Sequence, residues 1–201
     1  QGLITYMRTD STRISETGLS QAREYIKQNF EPSYLPEAAN FYGKKTENTQ
    51  DAHEAIRPTD VTRTPESVEK YLDRDQYRLY ALIWRRFVAS QMTQGVDELV
   101  TLEVQDKAAE FTFRYSSSRQ IFPGFRAIYP LGEDKVGHVP AFNEGDALKL
   151  VNFTKQQKFT QPPPRYTEAS LIKAMEESGI GRPATYVPTM GTLDKRAYIE
   201  R

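Results

Sequence analysis

Two side chains near the start of the chain carry the chemistry with the widest reach. They are Tyr6 and Arg8, in the run Leu3-Ile4-Thr5-Tyr6-Met7-Arg8-Thr9-Asp10-Ser11. A phenol is an oxygen nucleophile able to form a covalent ester, and a guanidinium is a planar, permanently charged fork that fits phosphate oxygens. Leu3 to Arg8 is rich in β-branched and aromatic residues, lacks Gly and Pro, and runs into polar turn residues, which predicts a short strand. Alternation along a strand places Tyr6 and Arg8 on one side, a pleat apart, where both reach one phosphate. The plain alternative is a half-buried strand tyrosine beside a solvated arginine. Spacing alone favours it.

Two other stretches hold residues of the same kind. In Asp51-Ala52-His53-Glu54-Ala55-Ile56-Arg57-Pro58-Thr59, a helical turn over Ala52 to Ile56 would bring His53 and Arg57 to one face. An imidazole beside a guanidinium is a reasonable phosphate clamp. A surface helix end with an ordinary His–Glu pair explains the run equally well, and Pro58 ends any helix at Arg57. In Gly179-Ile180-Gly181-Arg182-Pro183-Ala184-Thr185-Tyr186, a tight glycine turn leads into a helix. Backbone N–H groups at that helix start, with Arg182 and the Thr185 hydroxyl, suit a phosphate.

The elements that must position these residues follow from periodicity and punctuation. Ser15 is a candidate N-cap for a helix to about Phe30, with Leu19, Ala22, Tyr25 and Ile26 on one stripe. Asn40 to Gln50 reads as loop. Thr64-Pro65-Glu66 opens a helix with Pro near its first position, and Asp73 to about Met92 is the longest helical pattern. Its Tyr80, Trp84, Phe87 and Val88 read as core, with Arg74, Arg78, Arg85 and Arg86 on the wet face. From Gly95 to about Thr160, short alternating stretches broken by turn clusters at Ser116-Ser117-Ser118, Pro123-Gly124 and Asn143 to Asp146 predict an antiparallel sheet or small barrel. His138 reads as incidental there. Gln161-Pro162-Pro163-Pro164 is a stiff linker, followed by a helix from Thr167, the glycine turn, a second helix to about Arg196 and a strand at Ala197 to Arg201. The expected fold is α+β in three parts. A helical tyrosine-bearing domain (1–93) precedes an antiparallel β domain (94–160) and a partial winged helix-turn-helix (161–201).

Composition narrows the classes. The 201 residues carry 27 basic and 27 acidic side chains, so any nucleic-acid contact rests on a local patch and not on global charge. The absence of cysteine excludes disulfides and thiolate metal sites. No apolar run approaches membrane-spanning length, and a cytoplasmic protein is the default. Both ends look cut: the first strand has nothing before it to pair with. That orphan edge invites pairing with a foreign strand, and a homodimer through it is an expectation.

The run Gly2 to Ser11 resembles the active-site signature of the bacterial type IA DNA topoisomerase family. The stretches around His53 and Arg182 match further family signatures in the same order, so the resemblance covers nearly the whole chain. It implies that Tyr6 attacks a DNA phosphodiester and becomes linked to the 5′-phosphate, with Arg8 as its catalytic partner. It further implies that His53, Arg57, Arg182 and Thr185 contact DNA, with Glu54 as support, and that the β region is an arch or hinge. Implied partners are single-stranded segments of negatively supercoiled DNA in a nucleoid-associated setting. An implied Mg2+ takes its ligands from an acidic cluster outside this chain, and no ATP is needed. On that footing the isolated segment is expected to be inactive. Where the family usually has Gly before the aromatic of the closing strand, this chain has Ala197. Two other readings compete: a tyrosine recombinase-like strand transferase, which places its basic residues before a late tyrosine, and a non-enzymatic winged-helix module that binds single-stranded DNA.

Overall fold

The computed structural model describes residues 2–9, 11–42, 53–132 and 142–199. The chain divides into two compact units, Gln1–Ala141 and Phe142–Arg201. His138, read from sequence as incidental, lies outside the described residues, as do Asp10 and residues 43–52, which include most of the stretch that the sequence reads as loop.

Helix α1 (Glu16–Asn29) starts where the sequence places it, because the Ser15 side chain accepts the Gly18 N–H and Glu16 meets the positive end of the helix dipole. Its inward stripe is Gly18, Ala22 and Ile26. A short helix α2 (Pro65–Val68) opens on Thr64, whose hydroxyl accepts from Ser67. Helix α3 (Arg74–Ser90) is set by a capping box in which Asp73 and Gln76 satisfy each other's backbone N–H groups. From α3, Tyr80, Trp84, Phe87 and Val88 pack with Ala22, Ile26, Val61, Val68 and Met92 into one core. The polar tips of this core are accounted for: Trp84 Nε1 donates to the Val61 carbonyl at 2.9 Å and the Tyr80 hydroxyl to that of Arg63 at 2.6 Å. The four α3 arginines stay exposed.

Beyond α3 the expected antiparallel sheet is present, but smaller than a domain over 94–160 and with no barrel among the described residues. Strands β1 (Val96–Gln105) and β2 (Thr112–Phe122) form a two-stranded antiparallel sheet, and residues 142–160 form no strand. The triplet Ser116-Ser117-Ser118, expected as a turn, lies inside β2 opposite Thr101, Val100 and Leu99. The reversal comes earlier, at 106–111, where Asp106 carboxylate oxygens accept the Phe111 and Ala108 N–H groups and Ala109 takes a positive φ of 55°. The root of the hairpin is pinned by a two-pronged Arg126–Asp97 pair at 2.8 and 2.9 Å. There Gly124, at φ 53°, crosses the backbone so closely that a Cβ would stand 2.5 Å from Gln94.

In the second unit, α4 (Glu168–Glu177) and α5 (Pro183–Lys195) flank the glycine turn. Gly179 (φ 71°) closes α4 in a Schellman arrangement, with Ile180 N–H on the Met175 carbonyl and Gly179 N–H on that of Glu176. The end of α5 repeats it with Ala197 at φ 53°. Residues 197–199 therefore form the cap of a helix and not the beginning of a strand. No wing strand occurs among the described residues. No helix among them is long and apolar enough to cross a membrane.

Candidate active site

The N-terminal segment is not an orphan. Residues 2–5 lie antiparallel to 55–59: Thr5 N–H donates to the Arg57 carbonyl at 2.9 Å, Thr59 N–H to that of Leu3 at 3.0 Å, and Ile4 bridges Pro58. That internal pairing removes the reason for expecting a second copy at this edge. The full strand over 3–8 does not form either. The Thr5 hydroxyl occupies the Arg57 N–H and the Ala55 carbonyl that a longer ladder would use, and Arg8 N–H turns back onto the Tyr6 carbonyl at 2.9 Å. This closes a three-residue turn about Met7, whose φ is negative, an inverse γ-turn. Tyr6 and Arg8 thus flank a turn and do not stand one pleat apart on a strand.

The segment carrying His53 and Arg57 is extended, in place of the helical turn its spacing allowed. Its backbone is used on both sides. Ala55 N–H donates to the Arg13 carbonyl at 2.7 Å, while Thr5 Oγ1 donates to the Ala55 carbonyl and accepts the Arg57 N–H. In that conformation His53 and Arg57 part company. His53 reaches Arg8, with Nη1 3.2 Å from Nε2. Because a guanidinium only donates, Nε2 is the acceptor in this contact. Thr5, Tyr6, His53 and Glu54 line a shallow cavity of about 320 Å3. Tyr6 is 76% exposed, and among the described residues its phenol oxygen has no hydrogen-bond partner.

Arg57 is only 8% exposed and directed inward. Its Nε meets Glu54 Oε1 at 2.7 Å, Nη1 the Pro58 carbonyl at 2.9 Å, and Nη2 Ser15 Oγ at 3.2 Å and Glu54 Oε2 at 3.3 Å. The guanidinium also lies 6.0 Å from the Phe87 ring centre. Burial pushes the Glu54 carboxyl upward, but hydrogen bonds from Arg57 and from Ser15, together with the Arg57 charge, outweigh it and hold the group at about 2. Among the described residues no three His, Asp or Glu side chains cluster as a metal site. Glu54, which lines the cavity, already has both oxygens engaged.

Arg182 and Thr185 belong to the second unit. Thr185 serves the local helix start: its hydroxyl accepts the Arg182 N–H at 2.8 Å and donates to the Arg182 carbonyl at 3.0 Å. Arg182 is exposed, and its Nη1 donates to the Gly181 carbonyl. Gly181, at φ 80°, stands where a Cβ would press on the Tyr186 ring and Thr185.

Sequence reasoning did not single out Thr5, which fastens the residue before Tyr6 to the opposite segment. A hydroxyl amino acid next to a candidate nucleophile was the available signal. Ser15 was identified as a cap, but its second task as partner of Glu54 and Arg57 needs the tertiary fold.

Comparison with known proteins adds two findings. The family model described as DNA topoisomerase matches residues 1–201. Full-length topoisomerase I from Thermotoga maritima is similar in structure, with a TM-score of 0.83 and 41% identity over 98% of this chain. The match takes in 31% of that protein's length.

Proposed function

The chain belongs to the bacterial type IA DNA topoisomerase family, and from that premise we propose that it is the tyrosine-bearing segment of such an enzyme. In this reading Tyr6 is the nucleophile that cuts one strand of negatively supercoiled DNA. The observation that carries it is the exposed Tyr6 phenol at the mouth of a cavity shared with His53, with Arg8 bound to His53 beside it.

The step balances without an outside energy source. Tyr6 Oη gives up its proton and forms a bond to phosphorus, while the bond from phosphorus to the 3′-oxygen breaks and that oxygen takes a proton. One phosphate ester replaces another, so religation is the reverse reaction and needs no ATP. Arg8 neutralises the charge that builds on the non-bridging oxygens, work for which a well-placed arginine accounts for orders of magnitude in rate. His53, with its Nε2 held by Arg8, stands at the cavity beside the phosphate that Tyr6 attacks. In the second unit, Arg182 and the N-terminus of α5 contact the strand backbone, and Thr185 shapes the turn that presents them. Mg2+, held by an acidic cluster outside this chain, would supply charge neutralisation at the DNA phosphates. The segment alone relaxes no DNA, and the enzyme works in the cytoplasm on nucleoid DNA.

The test is to trap the covalent adduct. The full-length enzyme carrying these residues, incubated with a labelled single strand and quenched with detergent, yields a 5′-phosphotyrosine adduct that Tyr6→Phe abolishes. An adduct that survives Tyr6→Phe, or one linked through the 3′-phosphate, sinks the assignment.

A further inference from the structure

We propose that Glu54 and Arg57 are positioning residues, whose ion pair sets where Tyr6 and His53 stand relative to each other. The inference rests on the reading of Tyr6 as nucleophile, and it gives Arg57 a task other than touching DNA.

Arg57 has its donors turned inward onto Glu54, Ser15 and the Pro58 carbonyl, against the face of Phe87. To reach a strand it would have to abandon four hydrogen bonds and leave the Glu54 charge half-buried and unpaired, a costly exchange. Its backbone is what faces the nucleophile. Arg57 exchanges two hydrogen bonds with Thr5, its carbonyl accepting the Thr5 N–H and its N–H donating to Thr5 Oγ1. Thr5 immediately precedes Tyr6. At the other end of the pair, Glu54 immediately follows His53. Glu54 is therefore one peptide step from His53, and Arg57 is one hydrogen bond and one peptide step from Tyr6.

The pair is itself referenced to a rigid element. Glu54 Oε1 accepts the Ser15 N–H at 2.9 Å, and Arg57 Nη2 donates to Ser15 Oγ, so both ends are tied to the N-cap of α1. Residues 53–57 have no helix and no sheet ladder of their own. A side-chain pair fixed to a helix terminus supplies the rigidity that regular backbone bonding supplies elsewhere. The Tyr6–His53 edge is thus indexed to α1, and through α1 to the core formed by Ala22, Ile26, Trp84 and Phe87.

Two conservative variants test this: Arg57→Lys, which keeps the charge but loses the fork, and Glu54→Gln, which keeps the shape but loses the charge. In the full-length enzyme, the single-turnover cleavage rate at saturating oligonucleotide is expected to fall 10-fold or more in both. The Kd for the uncleaved strand stays within about twofold, and the salt dependence of binding is unchanged. The double variant is no slower than the worse single one, because the two residues act as a unit. Weakened binding in Arg57→Lys or Arg57→Ala, with a salt slope reduced by about 0.7, would show Arg57 to be a phosphate contact and overturn the inference. A lowered Tm with unchanged cleavage rate per folded molecule would reduce the pair to a structural role and overturn it equally. Nuclear magnetic resonance of the 201-residue chain separates this from the identity of the nucleophile. The Tyr6 amide and His53 ring signals move in both variants while core methyl signals stay put. Unmoved Tyr6 and His53 signals refute positioning even if Tyr6→Phe abolishes the adduct, whereas an intact adduct in Tyr6→Phe refutes only the assignment of the nucleophile.

Discussion

Acidification offers a direct measure of how much the Glu54 knot contributes to the fold. Glu54 is held at about 2, against an ordinary value of 4.5. A depressed carboxyl binds its proton less readily when folded, so its contribution is complete above pH 4.5 and disappears as the pH falls toward 2. Taken at face value the shift corresponds to a ceiling of ~3.4 kcal/mol. The Glu54 side chain retains 23% of its exposure, and screening by solvent brings the expected contribution to about 1–2 kcal/mol. The assay is urea unfolding of the 201-residue chain at steps between pH 6 and pH 2, run beside Glu54→Gln. Other depressed carboxyls, Asp60 among them, destabilise both proteins alike as they protonate, so the difference between the two curves isolates Glu54. That difference should be about 1–2 kcal/mol at pH 6 and shrink between pH 4.5 and 2 as the wild-type carboxyl becomes neutral too. Two curves separated by a constant offset throughout would mean that the charge of Glu54 is not what the fold uses.

Four other substitutions probe separate parts of the framework. Thr5→Val keeps the side-chain shape but strands the Ala55 carbonyl and the Arg57 N–H, and should cost about 2–4 kcal/mol by urea unfolding. Trp84→Phe leaves the buried Val61 carbonyl without its donor and thins the edge contact with Tyr25 at 5.2 Å. A loss of about 2 kcal/mol is expected in the same assay. Ala197→Gly relieves a left-handed alanine at the end of α5 and should raise stability of that helix by about 0.5–1 kcal/mol, seen as a later loss of helical circular dichroism on heating. Gly124→Ala sets a Cβ 2.5 Å from Gln94 main-chain atoms at a positive φ, and should lower the urea midpoint by more than about 2 kcal/mol equivalent while Gly132→Ala, where no atom lies within 4 Å of the added Cβ, costs less.

The helices were legible because their signals are local. Ser15, Thr64, Asp73 and Thr167 each cap the helix that follows, and the Tyr80, Trp84, Phe87, Val88 stripe repeats at helical spacing. Ala197 stands out only through the family resemblance, which puts glycine there; its own sequence reads as strand, and the structure gives it the positive φ that glycine suits. The extended conformation of 53–57 was not. His53, Glu54 and Arg57 sit at helical spacing, and only the presence of Thr5 on one side and Arg13 on the other decides against a helix. The same holds for Arg57, whose type suggests a phosphate contact and whose burial depends on Phe87 and Ser15, distant in sequence. Serine clusters misled in the hairpin because a serine run is equally at home in a turn or on an exposed strand, and cross-strand partners such as Thr101 decide between them.

On the proposed reading, Tyr6 becomes covalently joined to DNA and must then do two things that conflict. It has to be free enough for a strand to reach, and its backbone must be fixed enough to hold a cut end while that end is under load. The structure meets the two demands at adjacent residues. Tyr6 is 76% exposed with nothing holding its phenol among the described residues, whereas Thr5 is fastened by three hydrogen bonds to Ala55 and Arg57, and Leu3 and Gly2 by two more to Thr59. The turn at Met7 limits the freedom to the residues that need it, since the chain leaves the paired segment at Tyr6 and folds back at once. A force applied through the phenol would pull across the bonds of residues 2–5 together, loading them in parallel, before it reached the α1 core. Holding a broken strand then depends less on any grip by the Tyr6 side chain than on the pairing behind it, which the Glu54–Arg57 knot keeps in register.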